Sequence, residues 1–346
     1  MPSQMRRVVV TMPVIVVISS LACVVLAEQR FELRSTLSSQ DPQVGAFFGW
    51  SLASSSDMFV VRETRVIRGD ASDAGQVYVY DSGTLALKFV FSAPNPREGA
   101  YSSYPAAVRS DMTVVGEHWA DVHGMRDAGQ VCVYDSETME LRAILASPNP
   151  RPGGFFGWSL VSGLDQIVIG ELRGFVGGMP KAGQVYVYDA RTLALRGVLS
   201  SPIPSEGAGF GSAVAVGSGK IVIGEAWATV NNRQNAGRAY VYDAENLDLE
   251  GRLASPDPQA DAVFGYAVAV GADLVIVGEP KADVDDVRMA GRVHVFSGMP
   301  AHGATSAQDA REVLAISCLF LSSMAIVLIL ATPRKRIAEL LKDRKA

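Results

Sequence analysis

The residues with the clearest potential for chemistry are five glutamates that recur at a fixed spacing. Each follows an apolar run, and consecutive members lie 54 residues apart: Glu63, Glu117, Glu171, Glu225 and Glu279. In repeats arranged around an axis, five such carboxylates would form a collar that binds a cation or a basic group. The alternative is that each carboxylate accepts hydrogen bonds from backbone N–H groups of its own loop and serves the structure alone.

A second candidate set lies two residues after these glutamates. Trp119 and Trp227 hold this position in two repeats, and Arg65, Arg173 and Lys281 hold it in the other three. Exposed Trp beside a basic side chain is typical of a protein-binding hot spot, and its ring face also stacks on sugars. The alternative is that each Trp folds back over its own loop. We take this set and the five glutamates as the candidate ligand-binding residues.

One long loop holds side chains that suit zinc or copper, namely Glu117, His118, Asp121 and His123. A His-x4-His spacing in a loop is a weak signal, and no other repeat carries it. We therefore predict no metal site and no cofactor.

The chain has no catalytic constellation that its sequence reveals. Its four histidines show neither the spacing of a triad nor a repeated metal spacing, so we predict that it is not an enzyme. A hydrolase or lyase that uses the glutamates with His118 and His123 is the least favoured alternative, because a fold that hosts such chemistry does not imply it.

A strict repeat must position these side chains. Five glycines also recur every 54 residues: Gly75, Gly129, Gly183, Gly237 and Gly291. Each follows an apolar run by about a dozen residues and precedes an alternating strand such as 184–189. A fixed period of this size indicates a repeat array.

The third repeat shows what one unit contains. Strands are predicted at 156–161, at 166–170, after Gly183 and at 193–200. Turn residues separate these strands, and Pro202 and Pro204 follow the last one, where a missing N–H costs no ladder bond. Four short antiparallel strands in one repeat are typical of a propeller blade.

The two ends of the array are complementary. The fifth repeat has no fourth strand, whereas Leu33 and Pro42 lie 54 residues before Leu87 and Pro96, which mark the fourth strand of the first repeat. We therefore predict an all-β, five-bladed propeller of four-stranded blades, closed by the N-terminal strand 31–39 pairing into the last blade. Closure would hide two sheet edges that invite aggregation.

Apolar segments flank the repeats. Residues 1–27 have the basic start, apolar run and small final residue of a signal peptide. Residues 313–331 form a 19-residue apolar stretch followed by Arg334-Lys335-Arg336, which predicts one transmembrane helix with a cytoplasmic C-terminus. The predicted domains are thus the signal peptide, the propeller at 28–298, a linker at 299–312, the span and a basic tail at 332–346. Whether the signal peptide is cleaved stays open.

Charge and cysteine content limit the partners. The net charge is −5; the tail contributes +4 and the leading arginines +2, so the remainder carries −11. An acidic ectodomain argues against nucleic acid. Of the three cysteines only Cys132 lies in the repeats, so no disulfide is predicted within them.

The repeats resemble the FG-GAP repeat of integrin α-subunit propellers and of many prokaryotic surface proteins. The resemblance rests on the Ala-Gly step before Val-Tyr-Val-Tyr and on an opening Phe-Gly, found at 48–49, 156–157, 210–211 and 264–265. The second repeat departs from it, with Ser102-Ser103 at this place. The family's calcium loop, Asp-x-Asp-x-Asp-Gly, is absent, so calcium binding is not expected.

Together these features predict a cell-membrane protein with one span and an extracellular propeller. The expected function is adhesion or binding of an extracellular protein or glycan through the long loops, which sit on a rigid scaffold. Residues 313–331 would contact lipid and possible partner subunits in the membrane. A structural spacer without a specific ligand is the main alternative.

Overall fold

A computed structural model describes residues 34–44, 46–49, 51–68, 71–92, 106–163, 165–271, 274–285 and 287–297. The predicted signal peptide, linker, membrane span and tail lie outside the described residues, as do Ser102 and Ser103. The chain divides into two compact units, Met1–Ser38 and Ser39–Ala346. Only residues 34–38 of the first unit are described, and they form no strand.

The second unit contains five antiparallel sheets in which strands follow one another in chain order. Sheet 1 comprises β1 (Ser51–Ser54), β2 (Met58–Arg68), β3 (Ala71–Asp81) and β4 (Leu87–Ser92). Sheet 2 comprises β5 (Ala106–Val108), β6 (Met112–Glu117), β7 (Gln130–Asp135) and β8 (Leu141–Ala146). Sheet 3 comprises β9 (Phe156–Ser162), β10 (Gln166–Glu171), β11 (Gln184–Asp189) and β12 (Leu195–Ser200).

Sheets 4 and 5 continue the pattern. Sheet 4 comprises β13 (Phe210–Gly217), β14 (Lys220–Glu225), β15 (Arg238–Asp243) and β16 (Leu249–Leu253). Sheet 5 comprises β17 (Ala267–Val270), β18 (Leu274–Glu279) and β19 (Arg292–Ser297). This all-β arrangement, without a helix among the described residues, is consistent with a β-propeller.

The last sheet departs from the prediction of four-stranded blades. Among the described residues it has three strands, and residues 34–39 carry no strand. The reason is local: after Ser297 the sequence runs into Gly298-Met299-Pro300, which does not read as another strand. The pairing of residues 31–39 with sheet 5 stays a prediction.

The hairpin between β11 and β12 shows how turn chemistry sets the strand ends. The Asp189 carboxylate accepts hydrogen bonds from the backbone N–H groups of Arg191 (3.0 Å) and Thr192 (2.7 Å). Leu193 follows with a φ of +58°. The fourth strand therefore starts at Leu195, two residues later than predicted, because a left-handed residue cannot continue a strand.

The loops between second and third strands contain small hairpins of their own. In sheet 3, Val176 and Met179 form an isolated antiparallel bridge across Gly177 and Gly178, both with positive φ. Equivalent bridges join Val122 to Met125, Val230 to Arg233 and Val284 to Val287. We call the loops 118–129, 172–183, 226–237 and 280–291, with the links between sheets at the same end, the long-loop surface.

Consecutive sheets interlock through the periodic glycine. Gly183 has a φ of +89°, and a Cβ atom there would lie 2.1 Å from the carbonyl oxygen of Phe210 in the next sheet. The Phe210 N–H donates a 2.7 Å hydrogen bond to the Ala182 carbonyl. The Ala-Gly step of one repeat and the Phe-Gly step of the next therefore form one joint, which explains why both recur at the same period.

Apolar side chains fill the spaces between neighbouring sheets. Val185 and Val187 of β11, for example, belong to the same buried cluster as Phe210, Ile221 and Ile223 of sheet 4. Similar clusters join sheets 1 and 2, sheets 2 and 3, and sheets 4 and 5. The core is thus a series of layers between sheets.

The first repeat differs at its long loop. Strand β2 continues to Arg68, and β3 begins at Ala71. Arg65 therefore lies in a strand, whereas the sequence predicted a loop position. The physical reason is composition: Thr64, Val66 and Ile67 are β-branched, whereas the other repeats have Ala or Gly in this stretch.

Candidate functional site

Each of the five periodic glutamates lies on the second strand of its sheet. Glu117, Glu171, Glu225 and Glu279 are the last residues of β6, β10, β14 and β18, and Glu63 holds the matching place in β2. All five are buried, with at most 6% exposed surface. Such carboxylates require hydrogen-bond partners inside the protein.

The partners of Glu171 show the common arrangement. Its Oε2 atom accepts hydrogen bonds from the hydroxyls of Tyr186 (2.6 Å) and Ser147 (3.1 Å). Ser147 directly follows β8 of sheet 2, whereas Tyr186 lies on β11 of the same sheet as Glu171. The carboxylate therefore joins two consecutive sheets.

The same geometry recurs at Glu63 and, with one addition, at Glu225. Glu63 accepts hydrogen bonds from Ser39 and Tyr78. Glu225 accepts one from Tyr240 (3.0 Å) and forms an ion pair with Arg238 at 3.2 Å.

Two repeats use different partners. Glu117 accepts a 2.7 Å hydrogen bond from the side-chain amide of Gln130, and Cys132 stands where sheets 1, 3 and 4 have Tyr. Glu279 bonds with Ser255 (3.1 Å) and His294 (2.8 Å). The donors to these carboxylates are thus side chains at the joint, not the backbone N–H groups expected for a local structural role.

Burial affects the pKa of three of these carboxyls. It raises the pKa of Glu117, Glu171 and Glu225 above the ordinary value, although hydrogen bonds from the side chains named above oppose this. Burial likewise raises the pKa of Tyr78 and of Tyr188 to about 12.

Trp119 lies half-buried within an aromatic cluster at the joint of sheets 2 and 3. Its ring contacts Phe155 edge-on at 4.7 Å and His118 at 5.3 Å. His118 is fully buried and also meets Trp158 at 5.1 Å. Trp119 is thus partly exposed and packs against the link that leads into sheet 3.

Trp227 has the equivalent role between sheets 3, 4 and 5. Its ring lies over Gly209, whose added Cβ would meet it at 2.5 Å, and next to Leu172, 3.3 Å from the same point. It also meets Tyr266 edge-on at 6.5 Å. Glycine at 209 leaves room for this indole.

The charged members of the loop set differ in placement. Arg173 and Lys281 are exposed on the long-loop surface. The Arg173 guanidinium lies 4.6 Å from the centre of the Phe155 ring. The side chain of Arg65 lies outside the described residues.

The histidines and acids of the second repeat do not converge. His118 is buried in the aromatic cluster, whereas His123 is exposed at the tip of the loop hairpin. Asp121 accepts a 2.9 Å hydrogen bond from the backbone N–H of Asp127. Within the described ranges, no group of three or more His, Cys, Asp or Glu side chains is arranged to hold a metal ion.

Sequence reasoning missed the serines and tyrosines that hold the glutamates. Their signal is a second fixed spacing, since the serine precedes its glutamate by 24 residues and the tyrosine follows it by 15. It also missed Arg151, which lies 4.4 Å from the centre of the Phe175 ring.

In the part of the chain that the structure describes, no helix has the length and apolar content needed to cross a bilayer.

No curated protein matches this chain in sequence. A family model described as FG-GAP repeat matches residues 248–296. This segment runs from β16 through β19 and contains the Phe264-Gly265 step and the joint of sheets 4 and 5. Residues 248–296 are therefore similar to an FG-GAP repeat, in a chain of five sheets consistent with a β-propeller.

Proposed function

We propose that this protein is an extracellular binding module that recognises a protein or glycan through its long-loop surface. The observation that carries the proposal is the exposure of Arg173 and Lys281 on the same long-loop surface as the half-buried rings of Trp119 and Trp227, with the Arg173 guanidinium 4.6 Å from the centre of the Phe155 ring. An integrin-like propeller repeat agrees with a binding role. The five buried glutamates support the loops and make no ligand contact in this proposal.

A closed ring of five blades is part of the proposal. Ser39 bonds to Glu63 as Ser147 bonds to Glu171, with the same 24-residue separation. Ser147 directly follows a fourth strand, so Ser39 holds the place that follows a fourth strand of the preceding blade. In a closed ring that blade is the fifth, and residues 31–38 would supply its missing strand.

The apolar faces at the two ends of the array agree with closure. Val293 and Val295 on β19 are 53% and 61% exposed, and Leu52 on β1 is 45% exposed. The matching residues at internal joints are buried, with Val185 and Val187 at 0% and Leu160 at 6%. Contact between blades 5 and 1 would bury these faces, at about 25 cal/mol per Å² of apolar area.

Closure can be tested with an engineered disulfide. In sheet 3, Val187 of β11 pairs with Gly197 of β12. Val295 is the residue two repeats after Val187, and Ser35 is the residue three repeats before Gly197, so closure would pair Val295 with Ser35. We expect Ser35→Cys/Val295→Cys to form an intrachain disulfide in the monomer, with Cys23 and Cys318 replaced by Ser. The out-of-register pair Ser35→Cys/Val293→Cys is the control. Disulfides only between chains would contradict closure.

Membrane anchoring through residues 313–331 is the second part of the proposal. It is supported by the length of this apolar stretch and by the basic residues that follow it. The full-length chain should sediment with membranes and resist carbonate extraction, and truncation after residue 312 should release it. A truncated chain that stays in the membrane would point to the N-terminal segment as the anchor.

The binding function itself is tested by probing arrays of glycans and extracellular proteins with the full-length chain in detergent. The variants are Trp119→Ala/Trp227→Ala and Arg173→Glu/Lys281→Glu. The control is Arg191→Glu, an exposed arginine at the opposite, hairpin end of sheet 3. Binding that both loop variants lose and the control keeps supports the proposal. Binding by none of the proteins would favour the spacer.

A further inference from the structure

We propose that the long-loop surface of the third repeat binds an anionic polysaccharide, one that carries carboxylate or sulfate groups, through Arg151, Arg173 and Lys181. This inference rests on the proposed binding function and names the ligand class for one part of the same surface.

The third repeat differs from the others in its net charge. Residues 148–201 carry five basic and three acidic side chains, a net charge of +2. The equivalent segments 40–93, 94–147, 202–255 and 256–297 carry −2, −4, −2 and −4. The third repeat is thus the basic one in an acidic array, and such a local field attracts an anion that the other repeats repel.

The excess positive charge lies at one end of this sheet. At the hairpin end, Asp165 and Asp189 balance Arg191 and Arg196, and Arg196 approaches Asp165 to 3.9 Å. The remaining acid is Glu171, which is buried at the joint. Arg151, Arg173 and Lys181 therefore lie at the long-loop end, where this repeat has no exposed acidic side chain.

These three side chains are accessible, and contacts hold their segments together. All three are exposed, and none forms an ion pair within the described residues. The backbone N–H of Arg173 donates a 3.0 Å hydrogen bond to the Gly154 carbonyl, which joins the loop to the link that carries Arg151. The Gly183 N–H donates a 3.0 Å hydrogen bond to the Gly174 carbonyl, so backbone hydrogen bonds join all three segments.

Both guanidinium groups lie against aromatic rings. Arg151 is 4.4 Å from the centre of Phe175, and Arg173 is 4.6 Å from the centre of Phe155. A guanidinium held against a ring loses less side-chain entropy on binding and keeps its edge N–H groups for a carboxylate or sulfate. The planar fork of Arg suits such oxyanions in two-point contacts.

The apolar part of the patch fits a sugar. Phe175 is 39% exposed, and next to it the hairpin tip has Gly177 and Gly178, where an added Cβ would meet nothing within 4 Å. An exposed ring face can stack on a sugar ring, and one such ring beside bare backbone is small against the about 800 Å² per partner of a typical protein interface. The observations therefore favour an anionic glycan over an acidic protein.

The test measures binding of heparin, polygalacturonate, neutral dextran and polyglutamate to the full-length chain in detergent. The variant is Arg151→Gln/Arg173→Gln/Lys181→Gln. A control with the same charge change is Lys88→Gln/Arg142→Gln/Arg191→Gln, made of exposed residues at the other end of the sheets. We expect a sulfated or carboxylated glycan to bind and dextran not to bind. The loop variant should weaken binding at least ~10-fold, and the control less than ~2-fold.

The other outcomes are distinct. Binding that both triple variants weaken equally would mean a nonspecific charge effect and would overturn the inference. Tighter binding of polyglutamate with the same dependence would favour an acidic protein partner and also overturn it. If no anionic glycan binds but another array component binds in a Trp-dependent way, the inference about the ligand class is overturned and the proposed binding function stands. If neither the wild type nor any variant binds any probe, the result counts against both the proposed binding function and this ligand class.

Discussion

The hydroxyl of Ser147 donates a 3.1 Å hydrogen bond to the carboxylate of Glu171, 24 residues further along the chain and in the next sheet. Because Tyr186 donates to the same oxygen atom, one carboxylate links the end of β8 to the middle of sheet 3. Glu171 is therefore a polar centre of the joint between sheets 2 and 3, and its substitution should be felt as lost stability.

The joint predicts a contrast between two substitutions of Glu171. Glu171→Ala leaves the Tyr186 and Ser147 hydroxyls buried without this acceptor, and each such group costs about 1–3 kcal/mol. Glu171→Gln keeps an acceptor oxygen and should change the free energy of unfolding by less than about 1 kcal/mol at pH 7. Urea unfolding of the full-length chain in detergent measures both. Equal losses in the two variants would show that the carboxylate charge itself, and not the acceptor, stabilises the joint.

The raised pKa of Glu171 predicts a pH dependence. Because burial raises the pKa above its ordinary value of 4.5, the folded state binds the proton more tightly than the unfolded state does. This contribution is present below pH 4.5 and is lost as the pH rises through the folded-state pKa. Wild-type stability should therefore fall on raising the pH from about 4.5, and Glu171→Gln should fall less steeply.

Other carboxyls act in the opposite direction. Hydrogen bonds from backbone N–H groups lower the pKa of Asp135 and Asp189 below the ordinary value of 3.8, so their contribution is lost as the pH falls through their folded-state pKa. Measurements from pH 4.5 to 8 keep these groups ionised. Parallel stability profiles of wild type and Glu171→Gln in that range would contradict the assignment.

Two glycines in one loop separate backbone strain from crowding. Gly178 and Gly183 both have a φ of +89°, but only at Gly183 would an added Cβ meet another atom, the Phe210 carbonyl oxygen at 2.1 Å. Gly178→Ala should cost about 1–2 kcal/mol for the left-handed backbone. Gly183→Ala should add the cost of separating two sheets and reach about 2–5 kcal/mol in total. Equal losses in unfolding free energy would mean that the joint is looser than its geometry indicates.

The repeat period made the strands predictable, and their local chemistry explains the remaining errors. Three of the four strands predicted for the third repeat end within one residue of their observed bounds, because β-branched runs and turn residues mark them. The fourth begins two residues late at Leu195, since a left-handed Leu193 is not readable from its type. The extension of β2 through Arg65 was not predicted, because it is marked only by the absence of Ala or Gly at 64–67, and a missing residue type is a weaker signal than a β-branched run or a turn.

The candidate site was less accessible to sequence reasoning. The period showed that the glutamates are equivalent, but not that serines from the preceding sheet bind them, because this contact crosses a joint between sheets. The Trp positions were found, whereas the packing of Trp227 over Gly209 depends on tertiary contacts alone. The Arg151–Phe175 contact joins a link to a loop and has no period in the sequence.

A buried lysine in sheet 4 gives a final prediction about polar groups in the core. The Lys220 ammonium group contacts Glu250 at 2.7 Å and Asp243 at 3.4 Å, and its side chain is fully buried. Burial lowers the pKa of Lys220, but the hydrogen bonds and charges of the two acids outweigh this and raise it, so the lysine is charged at neutral pH.

Sheets 1 and 2 have Met58 and Met112 at the matching position, both buried. We therefore expect Lys220→Met to fit the site and to change the free energy of unfolding by less than about 1 kcal/mol, because a buried ion pair gains little over an apolar side chain of similar size. Glu250→Leu instead removes the nearest partner of a buried charge and should cost more, about 1–3 kcal/mol, since Asp243 remains. Chemical unfolding of both variants decides between them. A larger loss for Lys220→Met than for Glu250→Leu would show that the ion pair itself is a net stabiliser of this sheet.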